Sequence, residues 1–216
     1  MHATSQVAYA LLVFTSLLAI VNPLSAVPLY LSVTSAFDSG HRASTLRAAI
    51  LTSIVVLVVF AVVGTWILQF FGITTNAFRI TGGLLFLGVG SDMLQAKRSR
   101  ESTTKEEEEE AGNTEDVGII PLGIPTLAGP GAITTVITLN AQADGFTERT
   151  VVLVSIVLVM AASWIVLALA PRILRRFGQT GLNVMTRIMG LLVMVIGTQF
   201  IIDGVRAVVL DTMARR

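Results

Sequence analysis

Between Ala48 and Phe71 the chain carries no charged residue. At about 1.5 Å per residue, a run of that length crosses the roughly 30 Å hydrocarbon core of a bilayer as one helix. In such a solvent every backbone N–H and C=O must be satisfied within the protein, which leaves helices or a closed barrel as the available folds. The feature recurs along the chain. Apolar runs occupy Val7 to Val33, Ala48 to Phe71, Ala77 to Leu94, Val117 to Leu139, Val151 to Ala170 and Ile188 to Val209. The expectation is an all-α polytopic membrane protein with six transmembrane helices. Composition agrees, with 53% hydrophobic and 13% charged residues against about 25% charged in soluble domains.

Two of these runs contain something a continuous helix does not tolerate. Gly129-Pro130-Gly131 sets a ring without an N–H between two residues of low helix propensity, and Asn22-Pro23, followed by Pro28, does the same near the other end. Helices 1 and 4 are therefore expected to be discontinuous. A break at membrane depth persists only where it is buried in protein or lines a cavity, so the two breaks are the candidate binding site.

Several function classes fall away. A net charge of +1 gives no nucleic-acid footprint, and the absence of cysteine removes disulfides, thiolate metal sites and cysteine nucleophiles. His2 and His41 belong to no ligand cluster and read as solvated residues, so no metal or cofactor is expected. No nucleophile with its base and no paired carboxylates occur at matching depth, which argues against an enzyme. The first run lacks the basic n-region of a secretory signal and is longer than an h-region, so it reads as a retained helix.

The chain divides into 1–94, a charged low-complexity linker over 95–116, and 117–216. The linker, with its acidic run Glu106 to Glu110, reads as a solvated, disordered loop without EF-hand spacing. The flanking parts resemble each other. Arg79-Ile80-Thr81-Gly82 recurs as Arg187-Ile188-Met189-Gly190, Asn22-Pro23 corresponds to Gly129-Pro130, and Arg42 to Arg149. Gly83 and Gly90 have the spacing of Gly190 and Gly197, which puts each pair on one helix face for close packing. A three-span unit inserts its second copy upside down, so the expected plan is a 3+3 inverted repeat. Lys and Arg are concentrated in the loops holding Arg42, Arg47, Lys97, Arg98, Arg100, Lys105, Arg172, Arg175 and Arg176. That bias puts the linker in the cytoplasm and both termini outside.

The segments Asn22 to Leu29, Arg79 to Gly83 and Pro121 to Thr134 resemble the signature segments of the MarC family of bacterial inner-membrane proteins, three motifs in the right order. The resemblance implies a multi-pass protein of the cytoplasmic membrane, akin to a transporter of small neutral amino acids such as glycine and alanine. The residues suit a small zwitterion. Half-helices beginning at Leu24, behind Pro23, and at Gly131 and Ala132, behind Pro130, turn free N–H groups and a positive dipole end toward a carboxylate. Released carbonyls can receive the ammonium, and Asn22, Ser25, Thr134 and Thr135 add side-chain donors and acceptors. For each Ser and Thr, bonding back to the helix's own carbonyls is the competing reading.

Arg79 and Arg187 each fall in the first turn of an expected helix, where they read as interfacial anchors; with Gly82, Gly83, Gly90, Gly190 and Gly197 they form the packing and anchoring set. Asp92 and Asp203 lie toward expected helix ends, so no proton-relay carboxylate is evident and the coupling ion is left open. The oligomeric state is open too, a homo-oligomer included. The competing functions are a non-transporting multi-pass protein acting in assembly or stress response, and an exporter of other small molecules. The first leaves two matched breaks without a purpose.

Deleting Glu106 to Glu110 should leave membrane insertion and activity intact, because halving a loop changes its closure entropy by only about 0.6 kcal/mol. Loss of expressed, folded protein on size-exclusion chromatography would show that the acidic run makes a specific contact.

Overall fold

The computed structural model describes residues 2–95 and 118–214, and every element in them is helical. Seven α-helices follow in order: α1 His2–Val21, α2 Pro23–Val33, α3 Ser39–Phe70, α4 Thr75–Leu94, α5 Pro130–Gln142, α6 Phe146–Ala168 and α7 Ala170–Ala214. Between α4 and α5 lies a wound ribbon, Gly118–Leu127, in which Ile120 and Ile124 are extended and the Ile120–Pro121 and Ile124–Pro125 peptides are cis. Apart from Gln95, the expected linker lies outside the described residues.

Five helical stretches are long and apolar enough to cross a bilayer: Gln6–Val33, Ser39–Phe70, Thr75–Leu94, Phe146–Ala168 and Ala170–Met213. The ribbon and α5 pass the same test together, bent by 56°. The protein is thus an all-helical, multi-pass membrane protein with five or six spans.

Local chemistry sets most helix ends. The Asp38 carboxylate accepts from the His41 N–H at 2.8 Å and starts α3 well before the apolar run begins. Arg42 and Arg47, expected in a loop, therefore lie in helix. At the other end Gly72, at φ 65°, donates to the Gln69 carbonyl while Ile73 donates to Leu68 at 2.8 Å, the paired bonds of a Schellman stop. Thr74 then caps α4 through Ala77 N–H at 3.1 Å.

The last helix departs furthest from expectation. Arg172, Arg175 and Arg176, expected in a loop, stand instead at the beginning of α7, which is interrupted only at Gly178, where φ is 64°. Hydropathy marks the part of a helix that lies in lipid, whereas its ends are set by hydrogen bonding and capping, so α7 extends on both sides of the apolar run. Arg187 consequently lies inside α7 rather than in a first turn, and Asp203 is well short of its end at Ala214.

α4 and α7 run antiparallel in close contact. A methyl at Gly83 would lie 2.5 Å from the Gly197 carbonyl oxygen, and one at Gly90 2.7 Å from that of Gly190. The reverse distances, from Gly197 to the Gly83 oxygen and from Gly190 to the Gly90 oxygen, are 2.7 and 2.8 Å. With lipid as apolar as the side chains, such helices associate through close van der Waals contact, which these glycines permit.

Several of the remaining pairings are matched. α3 packs on the ribbon as α6 packs on α1; α3 meets α5 as α6 meets α2; α4 meets α5 as α7 meets α2. The core between them includes Leu17, Val27, Leu57, Phe86, Leu122, Leu127, Val136, Ile156 and Met160, all essentially inaccessible.

Gly90→Ala and Gly197→Ala should each cost about 1–3 kcal/mol through overpacking, read as a lowered apparent Tm in detergent. Gly88→Ala is the control, since a methyl there meets nothing within 4 Å. Equal Tm values for all three variants would contradict a close-packed α4–α7 contact.

Candidate functional site

The first break is a single residue. α1 closes with the Asn22 N–H on the Leu18 carbonyl at 2.9 Å, and the chain then turns through Asn22 at φ 42°, ψ 68° before Pro23 opens α2. Asparagine is among the few non-glycine residues that adopt this left-handed conformation without large strain. Among the described residues it is the one non-glycine with positive φ. Its carbonyl accepts from the Ser25 N–H at 3.0 Å and the Ser25 hydroxyl at 2.8 Å. Its side chain caps nothing. Although Asn22 is only 3% exposed, both Oδ1 and Nδ2 lack a hydrogen-bond partner.

The second break is built differently. Gly129 is extended, at φ −77°, ψ 173°, so its backbone conformation does not itself require glycine. The requirement is steric: a methyl at Gly129 would lie 2.5 Å from the Pro125 carbonyl oxygen. The ribbon beneath is tied down by Ala128 N–H to the Gly123 carbonyl at 2.9 Å and by the Thr126 hydroxyl to the Pro121 carbonyl at 2.7 Å. The Ser53 hydroxyl of α3 adds a bond to the Gly123 carbonyl at 3.2 Å. α5 then opens at Pro130, with Ile133 N–H on the Gly129 carbonyl at 3.0 Å.

The two breaks are neighbours. A methyl at Gly131 would lie 3.2 Å from Cγ2 of Ile20, two residues before Asn22, and within 3.9 Å of Phe86 and Leu85 of α4. The N-terminus of α5 thus abuts the last turn of α1, with α4 closing a third side. Helix geometry leaves the N–H groups of the first turns of α2 and α5 without intrahelical acceptors, and both dipole ends are positive.

The residues singled out from sequence divide in this arrangement. Asn22, Pro23, Gly131, Ala132, Thr134 and Thr135 are buried, Leu24 and Gly129 are intermediate, and Ser25 and Pro130 are exposed. Ser25 and Thr135 send their hydroxyl protons back to their own helices, Thr135 to the Gly131 carbonyl at 2.7 Å. Thr134 turns its methyl toward Gly82 of α4, where an added Cβ would lie 2.5 Å from Cγ2. Arg79 is half-buried and lies in the field of Asp203, whose Oδ1 accepts from Gln199 at 2.9 Å. Arg187 is exposed.

Sequence reading missed two atoms. Thr138 Oγ1 and Gln142 Nε2 are buried on α5 without partners. The spacing of Thr134, Thr138 and Gln142, one helical turn apart each time, is the signal that could have shown them. Among the described residues no group of three or more His, Cys, Asp or Glu side chains could hold a metal ion.

The chain matches the model of the MarC family of integral membrane proteins over residues 7–209. It is 34% identical to a UPF0056 membrane protein of Methanocaldococcus jannaschii, over 94% of this chain and 98% of the relative. It is 35% identical to the UPF0056 membrane protein YhcE of Escherichia coli, over 90% and 91% of the two chains. With YvbG of Bacillus subtilis it shares 34% identity over 90% and 92%. No solved structure matches. On a family match over most of its length and relatives aligned nearly end to end, the chain belongs to the MarC family of integral membrane proteins.

Proposed function

We propose that this protein is a secondary transporter that holds a small neutral amino acid, glycine- or alanine-like, where its two helix breaks meet. The observation that carries the reading is Asn22: a side-chain amide, 3% exposed, with both polar atoms unpaired, two residues past the Ile20 that meets Gly131 of α5. Leaving such groups unsatisfied costs about 1–3 kcal/mol, and a ligand that pairs them recovers it. The amide offers one acceptor and two donor hydrogens. The first-turn N–H groups at Leu24, Gly131 and Ala132 suit a carboxylate, and Asn22 Oδ1 suits an ammonium. The absence of a charged side chain from this set fits a solute with no net charge.

The scaffold supports the same reading. Gly83 to Gly190 and Gly90 to Gly197 share one offset, 190 − 83 = 107, which also relates Asn22-Pro23 to Gly129-Pro130 and Arg42 to Arg149. Under that offset the glycine contacts of α4 with α7 exchange with each other, and so do the matched helix pairings. A 3+3 inverted repeat with discontinuous first and fourth spans accounts for both. Arg187 stands one residue outside this register, a rotation of about 100° on a helix, which explains why it is exposed while Arg79 is half-buried.

Antiparallel packing of α4 and α7 also favours six spans over five. If the charged linker stays on one side, α7 can run opposite to α4 only when the ribbon and α5 together cross the membrane once. The basic residues then put the linker inside and both ends outside. Bacterial relatives such as YhcE of Escherichia coli suggest the inner membrane as the location.

Two outcomes are expected. Asn22→Gly keeps the left-handed turn and removes the amide. Purified in liposomes, this variant should take up labelled alanine with KM raised about tenfold or more, the worth of one to two hydrogen bonds. An unchanged KM would remove Asn22 from the site. A cysteine introduced at Ser102 should resist an impermeant thiol reagent in intact spheroplasts and react in inverted vesicles. The reverse pattern would overturn the orientation.

A further inference from the structure

α1 and α5 lie alongside each other in opposite directions. At one end the Tyr9 hydroxyl donates to the Leu139 carbonyl at 3.2 Å, and at the other Ile20 meets Gly131. Thr138 and Gln142, about two and three turns beyond Gly131, return to the face of α5 that Gly131 presents to α1. Ser16, about two turns beyond Tyr9, returns to the face of α1 that meets α5. The opposite face of α5 belongs to α3, where Asn140 Nδ2 donates to the Ala61 carbonyl at 2.7 Å and Ile137 crowds Gly64. A file of polar side chains, Ser16, Thr138 and Gln142, therefore leads along the α1–α5 seam from the helix breaks to the end of α5.

Thr138 is the decisive member. Thr135, Thr198 and Thr212 return their hydroxyls to the carbonyl four residues back, the usual refuge of a helical threonine in an apolar setting. Thr138 does not, although it is 2% exposed, and Gln142 Nε2 is likewise buried and unpaired. Packing alone gives no reason to keep two such groups one turn apart on one face. The 107-residue offset gives a control within the same chain: Thr134 and Thr138 correspond to Val27 and Leu31, both apolar and Val27 fully buried, and Gln142 corresponds to Ser35, exposed just past the end of α2.

We propose that the α1–α5 seam is a one-sided hydrated access path. Water and a small polar solute without net charge move along it between the helix breaks and the side of the membrane where α5 ends, while the equivalent route along α2 is closed by apolar side chains. Buried waters seek sites with two to four polar partners, and apolar constrictions gate by dewetting, so the asymmetry of lining gives asymmetry of access. The inference rests on reading the breaks as the substrate site.

The chain contains no cysteine, so single thiols report directly. Ser16→Cys, Thr138→Cys and Val27→Cys are compared with Thr147→Cys, an exposed position just beyond α5. Each is treated with an impermeant charged methanethiosulfonate in right-side-out and inverted vesicles. Cysteines at Ser16 and Thr138 should react only from the side that modifies the one at Thr147, and the one at Val27 from neither. Adding Thr138→Val to the Ser16→Cys chain should slow its modification several-fold. Protection of both seam positions from both sides in folded protein, or reaction from the opposite side, overturns the path. If Thr138→Cys does not fold, Ser16→Cys carries the same test. Unreactive seam cysteines with transport still sensitive to Asn22→Gly remove the path and leave the break site standing; reactive ones with transport indifferent to Asn22→Gly retain the path and remove the site.

Discussion

Hydrocarbon offers no hydrogen bonds, and the architecture around the two breaks is an answer to that constraint. Where the helical ladder is interrupted, other elements supply partners. The Asn22 carbonyl receives both the N–H and the hydroxyl of Ser25. The Gly123 carbonyl in the ribbon receives Ala128 N–H and the Ser53 hydroxyl. Farther along, Tyr9 and Asn140 add side-chain bonds to the carbonyls of Leu139 and Ala61. Against this background the unpaired amide of Asn22 and the unpaired groups of Thr138 and Gln142 stand out, because main-chain acceptors close to the same breaks are satisfied.

The glycine contact of α4 with α7 holds the two halves of the chain to each other. Backbone-to-backbone approach at Gly83 with Gly197 and at Gly90 with Gly190 fixes both the register and the antiparallel sense. Once that register is set, Phe86 of α4 comes to lie beside Gly131 and against Phe200 of α7, with ring centroids 5.3 Å apart. One aromatic side chain thus links the interface between the halves to the break at α5.

Much of this was legible in the residues. Apolar length marked the spans, and Pro23 and Pro130 each stand at the start of a helix, where a ring without an N–H is tolerated. The matching glycine spacing pointed to the faces that now meet. Helix extents were less legible: Asp38 begins α3 in polar sequence, and α7 continues through Gly178 into a basic stretch that hydropathy alone reads as a loop. The reason for Gly129 was hidden too, since it depends on the Pro125 carbonyl and not on φ. Hydroxyl roles depend on rotamers, so sequence could not tell Thr135, which bonds to its own helix, from Thr138, which does not.

That the unpaired Asn22 amide receives a substrate is the central claim, and a distance measures it directly. Protein carrying 13C at its asparagine side-chain carbonyls, reconstituted with alanine enriched in 15N at the ammonium, can be examined by dipolar recoupling in the solid state. The account predicts dephasing that corresponds to hydrogen-bond contact in the native protein and its loss in Asn22→Gly. Saturating alanine that gives no dephasing, or dephasing that survives the substitution, would contradict it.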